Sequence, residues 1–286
     1  MTQTPSAGSA EPLRYAAFTT DPAGGNPAGV VLDAAGLTDG QQLDVAARLG
    51  YSETAFLTAV PGAERNWTVR YFSPLAEVPF CGHATIAAAV ALGERHGAGE
   101  LLFETKAGPV PVEVTAVADG FSATLTSVPS SVEDAAPQDV AEALALLGWR
   151  PEDLDGRFPP RIGYAGARHL VLAAGTRERL AALDYDFDGL AALMRRLDLT
   201  TVQLVWEEDG ATFHVRDPFP VGGIVEDPAT GAAAAAFGAY LRRLRGLGTA
   251  RLTLHQGEDL GRPGVLTVDL LDGDPRIRVT GRAVRI

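Results

Sequence analysis

Two stretches of this sequence decide the fold: CGHATIAAAVAL at residues 81–92 and DPATGAAAAAFGAYL at residues 227–241. Each stretch begins with polar, tightly turning residues and continues into a helix of small side chains. They lie close to half of the 286-residue chain apart. This spacing predicts an internal duplication that carries two related helix N-termini.

The repeat extends beyond these helices. VRYFSP at residues 69–74 matches VRDP at residues 215–218, and the order strand, loop, helix, strand, hairpin recurs in both halves. We therefore predict an α+β fold with two pseudo-symmetric lobes, each a mixed or antiparallel sheet wrapped around a central helix. Alanine-rich helices suit this role, because their small side chains let a sheet close around them. The alternative is one doubly wound α/β domain, in which helices would alternate with every strand.

The lobe boundaries follow from turns and linkers. Asp-Gly pairs at residues 119–120, 209–210 and 272–273 are typical of tight turns between strands. The stretch SVPSSVEDAAPQ, residues 127–138, is interpreted as a linker. We predict a first lobe of residues 12–128 plus a C-terminal strand at about 277–286, a second lobe of residues 129–276, and a disordered tail of residues 1–11.

The composition excludes several partners. A net charge of −12 and a pI near 4.8 argue against binding to nucleic acid or to an anionic membrane, since both require a basic surface. The single cysteine excludes an internal disulfide. Neither a signal peptide nor an apolar run of membrane-spanning length is evident. These features predict a cytoplasmic protein.

The sequence also gives no motif for a metal or a cofactor. None of the five histidines has a metal-ligand spacing, and the glycine-rich loop GGNPAG at residues 24–29 fits no nucleotide-binding pattern. Its asparagine, Asn26, is instead expected to contact a ligand. Because helix N-termini carry unpaired N–H groups, we expect amides near Gly82, Gly231 and Ala232 to hold a small acidic substrate.

Three residues are candidates for proton transfer. His83 stands at a helix N-terminus, where the helix dipole favours the neutral ring. Glu53 lies in the apolar segment YSETAFL at residues 51–57, and burial there would raise its pKa into a useful range. Asp227 precedes Pro228, and its simplest interpretation is the N-cap of the second helix. The lone Cys81 is interpreted as a buried bystander.

The combination of motifs resembles the PhzF family of phenazine-biosynthesis proteins. The resemblance rests on PAGGNPAGVVLD, YSETAFL, RYFSP with EVPFCGHAT, EDPATGAAAAA and HQGEDLGRP, which follow in order from about Tyr15 to the C-terminus. It implies the diaminopimelate-epimerase fold, with the site between two similar lobes. It also implies isomerisation of the kind that PhzF performs on trans-2,3-dihydro-3-hydroxyanthranilate, without cofactor or metal, and a homodimer.

The resemblance also assigns roles. It implies that Glu53 is the catalytic glutamate, that His83 beside Gly82 is the active-site histidine, and that Asp227 is the active-site aspartate. Ser52, next to the glutamate, is expected to contact substrate. Ala232 departs from the serine that is common in the family, and Ala16-Ala17-Phe18 departs from the usual Asp-Val-Phe. Because of these differences, the substrate of PhzF does not carry over to this chain, whereas the implied proton-transfer chemistry does.

The sequence therefore predicts a PhzF-like isomerase that needs no metal or cofactor and acts on a small carboxylate-bearing metabolite. Glu53 would remove a proton from an activated carbon and return it at another position. One alternative is a racemase or epimerase of amino or hydroxy acids, with Glu53 opposed to Asp227. A thiol-based racemase is excluded, because the position that matches Cys81 in the second half holds no cysteine. The other alternative is a metabolite-binding protein without activity.

Overall fold

A computed structural model describes residues 11–286, so most of the expected tail lies outside the described residues. Six α-helices are found in this range: α1 Asp39–Leu49, α2 Gly82–His96, α3 Pro137–Leu146, α4 Arg177–Ala181, α5 Phe187–Leu197 and α6 Gly231–Arg245. The same range contains the following strands: β1 Leu13–Ala17, β2 Asn26–Val31, β3 Glu53–Ala59, β4 Asn66–Phe72, β5 Glu77–Val78, β6 Gly99–Thr105, β7 Gly108–Val117, β8 Gly120–Thr126, β9 Ser131–Asp134, β10 Arg161–Tyr164, β11 Arg168–Ala173, β12 Thr201–Glu207, β13 Thr212–Pro218, β14 Glu226–Asp227, β15 Ala250–Gln256, β16 Gly264–Leu270 and β17 Ile277–Arg285.

The first repeated helix, α2, is enclosed by a ring of strands. Strands β1, β2, β3, β4, β6, β7, β8 and β17 pair in that order, and β17 pairs back with β1 to close the ring. Only the β2–β3 and β4–β6 pairs are parallel. Every residue of α2 from His83 to Gly93 is buried. A helix that is apolar on all sides belongs in such an interior.

The second repeated helix, α6, packs against a corresponding row of strands, for which the described residues show no closing pair between β17 and β9. Strands β9, β10, β11, β12, β13, β15, β16 and β17 pair in order, and the parallel pairs β11–β12 and β13–β15 occupy the corresponding places. The shared pattern of pairing agrees with an internal duplication. The mixed α+β class is confirmed, and the doubly wound alternative is wrong because most neighbouring strands are antiparallel. The lobe boundaries near residues 128 and 277 stay a prediction, since β17 pairs with strands of both groups.

Small residues allow the central helices to approach the strands closely. A Cβ atom added to Gly93 of α2 would lie 2.7 Å from Val114 Cγ1, and one added to Gly238 of α6 would lie 2.7 Å from Val268 Cγ1. Real Cβ atoms almost never lie so close to a neighbour. Alanine and glycine in these helices therefore set the distance at which the sheet closes, and with it the position of the helix starts.

The remaining helices cover the outside of the sheet. Helix α1 is capped at its start by Thr38, whose side chain accepts from the Gln41 amide, and at its end by Gly50, whose φ of 68° is left-handed. Helices α3 and α5 pack their apolar faces on strands β10 to β12 in a second core that includes Leu172 and Met194. Among the described residues, no helix is both long enough and apolar enough to cross a membrane.

Two sequence interpretations need correction. The segment taken as a linker contains β9, which pairs with β10 and is stabilised by a salt bridge between Glu133 and Arg168. Asp227 is not the N-cap of the second helix. As the last residue of β14 it pairs with Asp217 of β13, and the helix starts three residues later, with Thr230 as its N-cap. The carboxylate of Asp227 is therefore available for contacts other than capping.

Candidate active site

The starts of the two central helices face each other. A Cβ atom added to Gly82 would lie 3.8 Å from Gly231 Cα and 4.0 Å from the Ala232 amide nitrogen. The side chains of the two N-cap residues, Cys81 and Thr230, make no capping hydrogen bond within the described chain. Uncapped N–H groups at helix starts favour an anion. The structure thus brings Gly82, Gly231 and Ala232 together, while their role as ligand contacts stays a prediction.

Glu53 meets His83 beside these helix starts. Glu53 is the first residue of β3, and its Oε2 lies 3.5 Å from His83 Nε2. The Ser52 hydroxyl lies 3.3 Å from the same ring nitrogen. His83 is 5% exposed, and the Glu53 side chain is 16% exposed. The carboxylate therefore points into the protein, toward the helix starts, and not out into solvent.

Cys81 is a member of this group that the sequence did not reveal. Its thiol donates to Glu53 Oε2 over 3.5 Å, and its Sγ lies 3.4 Å from His83 Nδ1. Burial raises the pKa of the Cys81 thiol, and the negative charge of Glu53 raises it further. The thiol is therefore protonated at neutral pH, which suits it to donate a hydrogen bond rather than to act as a thiolate base.

Asp227 reaches the site from the second half of the chain. Its Oδ1 accepts from Asn26 Nδ2 over 2.7 Å, and its Oδ2 accepts from the Thr230 hydroxyl over 2.6 Å. Asp227 is 8% exposed, and its main-chain oxygen accepts from the Gln256 side chain over 2.8 Å. Both carboxylate oxygens therefore already bond to the protein, which holds Asp227 in a fixed orientation.

Burial tunes the titrating groups of the site in opposite directions. It raises the pKa of Glu53, against smaller effects of hydrogen bonds from Ser52 and Cys81. It also raises the pKa of Asp227 and lowers the pKa of His83. Within residues 11–286, no lysine or arginine forms a salt bridge with Glu53 or Asp227. The site therefore combines weakened acids with a neutral imidazole, an arrangement suited to proton transfer.

Asn26 lies within this group and not on an open surface. It is 1% exposed, and its Nδ2 lies 3.1 Å from His83 Nδ1, in addition to its bond with Asp227. A direct contact between Asn26 and substrate stays a prediction, as does the contact predicted for Ser52. In the structure the two side chains bracket the His83 ring, one at each nitrogen.

The fold also assembles a set of metal donors that linear spacing could not show. Glu53, Cys81 and His83 offer one ligand atom each, and these atoms lie within 4.8 Å of one another. A metal on His83 Nε2 would require the ring proton on Nδ1, where it would face the amide hydrogens of Asn26. The separations fit a divalent cation, but the hydrogen bonding around the imidazole opposes one.

Comparison with known proteins identifies the family. A family model described as phenazine biosynthesis-like protein, PhzC-PhzF, matches residues 15–286. The chain belongs to the PhzC-PhzF family. The resemblance seen in the sequence motifs is thereby confirmed over nearly the whole chain.

Relatives of known name or structure agree with this assignment. The uncharacterized isomerase YfhB of Bacillus subtilis is 30% identical, with 96% of each chain covered. The trans-2,3-dihydro-3-hydroxyanthranilate isomerase of Pseudomonas chlororaphis is 29% identical, with 94% of each chain covered. A solved PhzF-family structure from Bacillus anthracis has a TM-score of 0.85 at 26% identity, again with 96% of each chain covered. This chain is an isomerase of the PhzF family.

Proposed function

We propose that this isomerase moves a proton, and with it a double bond, within a small carboxylate-bearing metabolite, without a metal or cofactor. One observation carries the proposal: the largely buried Glu53 carboxylate lies 3.5 Å from His83 Nε2, beside two helix starts whose N-cap side chains make no capping bond. Among residues 11–286, no lysine or arginine side chain is paired to it. A base that burial has strengthened and amides that favour an anion meet at one place.

In the proposed reaction Glu53 acts twice, first as base and then as acid. Glu53 takes a proton from a carbon that conjugation has made acidic, and the electron pair of that C–H bond shifts into the substrate. The uncapped N–H groups near Gly82 and Gly231 hold the substrate carboxylate and the charge that develops on it. Glu53 then returns the proton to another carbon, which leaves the double bond shifted. His83 and Asp227 polarise the substrate or relay a proton.

Racemisation is less well supported by the geometry. It needs a second acid or base on the opposite face of the carbon, and Asp227 is the available partner for Glu53. Both oxygens of Asp227 already accept hydrogen bonds from Asn26 and Thr230. These bonds occupy part of the acceptor capacity of Asp227 and hold its carboxylate in place, so they favour a supporting role and a single base.

Deuterium labelling tests the proposed reaction. When trans-2,3-dihydro-3-hydroxyanthranilate, or another unsaturated small acid, is turned over in deuterated water, we expect a product with a shifted double bond. Deuterium should appear at the new carbon to the extent that the proton held by Glu53 exchanges with solvent before it is returned. NMR spectroscopy locates the label. Deuterium at an inverted stereocentre, with the double bond unmoved, would instead establish a racemase. Tight binding of such acids with neither label nor product would establish a binding protein.

The pH profile offers a second test. Since burial raises the pKa of Glu53 above 4.5, its carboxyl takes up a proton at a higher pH than an ordinary glutamate. The base is lost as it protonates, so kcat/KM should fall on the acid side with a midpoint above 4.5. Burial lowers the pKa of His83. Protonation of the His83 ring should therefore cause no second fall in kcat/KM near neutral pH. A midpoint at or below 4.5 would contradict this account.

The assembly and the cellular setting are further parts of the proposal. A homodimer follows from the family resemblance, and a cytoplasmic location agrees with the single cysteine and with the acidic composition. Neither nucleic acid nor an anionic membrane suits a chain of net charge −12. Light scattering during size-exclusion chromatography would give the mass of the particle in solution, to be compared with 29.9 kDa for one chain.

A further inference from the structure

A single side-chain nitrogen connects the two halves of the site. Asn26, the first residue of β2, is 1% exposed. Its Nδ2 lies 3.1 Å from His83 Nδ1, 2.7 Å from Asp227 Oδ1 and 3.1 Å from the main-chain oxygen of Ala229. His83 belongs to the start of α2, whereas Asp227 and Ala229 precede α6. The amide nitrogen of Asn26 therefore contacts residues at the start of both central helices.

The orientation of this amide follows from its partners. The carbonyl oxygen of Ala229 can only accept a hydrogen bond, and so can an ionised Asp227. The atom of Asn26 that faces them must be the nitrogen, because the amide oxygen would meet the Ala229 oxygen without a hydrogen between them. An amide nitrogen does not accept hydrogen bonds. The NH2 group carries two hydrogens for three neighbouring acceptors, so one hydrogen is shared between two of them. Since the nitrogen cannot accept, a hydrogen bond between Asn26 and His83 has Nδ1 as its acceptor.

The direction of this bond determines the state of the imidazole. A neutral ring that accepts at Nδ1 carries its hydrogen at Nε2. His83 Nε2 lies 3.3 Å from the Ser52 hydroxyl and 3.5 Å from Glu53 Oε2. We propose that Asn26 is a positioning residue that fixes His83 as the Nε2–H tautomer and directs that hydrogen toward Ser52 and Glu53.

The other groups around His83 do not supply this constraint. Glu53 approaches from β3, Cys81 from the N-cap of α2, and Asp227 from β14. Cys81 Sγ lies 3.4 Å from Nδ1 and could take a hydrogen from it. Without Asn26, the ring could protonate at Nδ1 and turn Nε2 into an acceptor. The catalytic part of this inference rests on the proposed function, whereas the tautomer is independent of it.

Nitrogen NMR of the imidazole tests the tautomer directly. With labelled histidine, and with His83→Gln to assign one of the five rings, wild type should show an unprotonated Nδ1 and a protonated Nε2. Asn26→Asp has the same shape but places a carboxyl group against Asp227 Oδ1, and the two carboxyls share one proton. With that proton held between the carboxyls, the oxygen that faces Nδ1 is an acceptor, so Nδ1 should become protonated. Asn26→Leu removes the bond altogether, and the ring should lose its single tautomer. We expect kcat to fall about 10²-fold or more in both variants.

Gln256→Leu is the matched control. Gln256 is another buried amide that bonds to Asp227 and Thr230, but not to His83. It should leave the His83 tautomer unchanged. A wild-type ring already protonated on Nδ1, or one that Asn26→Asp leaves unchanged, would overturn the proposal. A changed tautomer with unaltered kcat and pH profile would overturn the positioning role and leave Glu53 as the base.

Discussion

Glu53→Gln is expected to lower kcat by about 10²-fold to 10⁴-fold, the usual contribution of a positioned general base. Glutamine keeps the shape of the side chain and can still accept from Cys81, but it cannot take a proton from carbon. The helix starts that would hold the substrate carboxylate are untouched. The dissociation constant for a substrate analogue should therefore stay within a few-fold of wild type. Single-turnover kinetics and calorimetry measure the two quantities separately.

Glu113→Gln makes the same chemical change at an exposed position on β7 and should leave kcat as in wild type. Deuterium exchange gives a further check, since the Glu53 variant should stop incorporation of solvent deuterium into unreacted substrate as well as into product. Turnover of the Glu53 variant at the wild-type rate would show that another group is the base. The neutral ring of His83 would then be the next residue to test, because its Nε2 lies 3.5 Å from Glu53 Oε2.

The duplication could be predicted because it depends on local patterns of residue types. Alanine-rich helices preceded by tight polar turns occur twice, and sequence order alone relates them. The direction of Glu53 could not be predicted in this way. Strands with one buried face alternate in burial, but residues 54–57 of β3 are all buried. No alternation remained to show which way the side chain at the start of the strand points.

The contacts of the site depend on long-range folding. Glu53 and Cys81 are 28 residues apart, and Asn26 and Asp227 are 201 residues apart, so no local pattern relates them. Asn26 stands in a glycine-rich stretch that the sequence suggested to be a ligand-contacting loop, but residues 26–31 form β2. Its contacts with residues at the start of both central helices form only when the two groups of strands come together. The position of Asp227 was obscured by Pro228, because an Asp-Pro pair is also how a helix commonly begins.

The largest effect on stability is expected from a change at Glu226, the residue that precedes Asp227. Glu226 forms a two-pronged bond with Arg216, at 2.9 Å from Nε and 2.5 Å from Nη2, and the two residues are 6% and 8% exposed. Removing one partner of a buried ion pair leaves the other charge uncompensated. We expect Glu226→Gln to lower the free energy of unfolding by about 3–5 kcal/mol, measured by urea denaturation.

The duplication supplies the control for this prediction. Glu77 forms the corresponding two-pronged bond with Arg70 in the first half, but the Arg70 side chain is 27% exposed. Water can solvate Arg70 when its partner is lost, so Glu77→Gln should cost only about 1 kcal/mol or less. Replacing both Arg216 and Glu226 with apolar residues removes both buried charges and should destabilise less than Glu226→Gln alone. Equal losses for Glu226→Gln and Glu77→Gln would show that burial does not govern these pairs.

Because Glu226 immediately precedes Asp227 in β14, Glu226→Gln should also lower kcat, whereas Glu77→Gln should not.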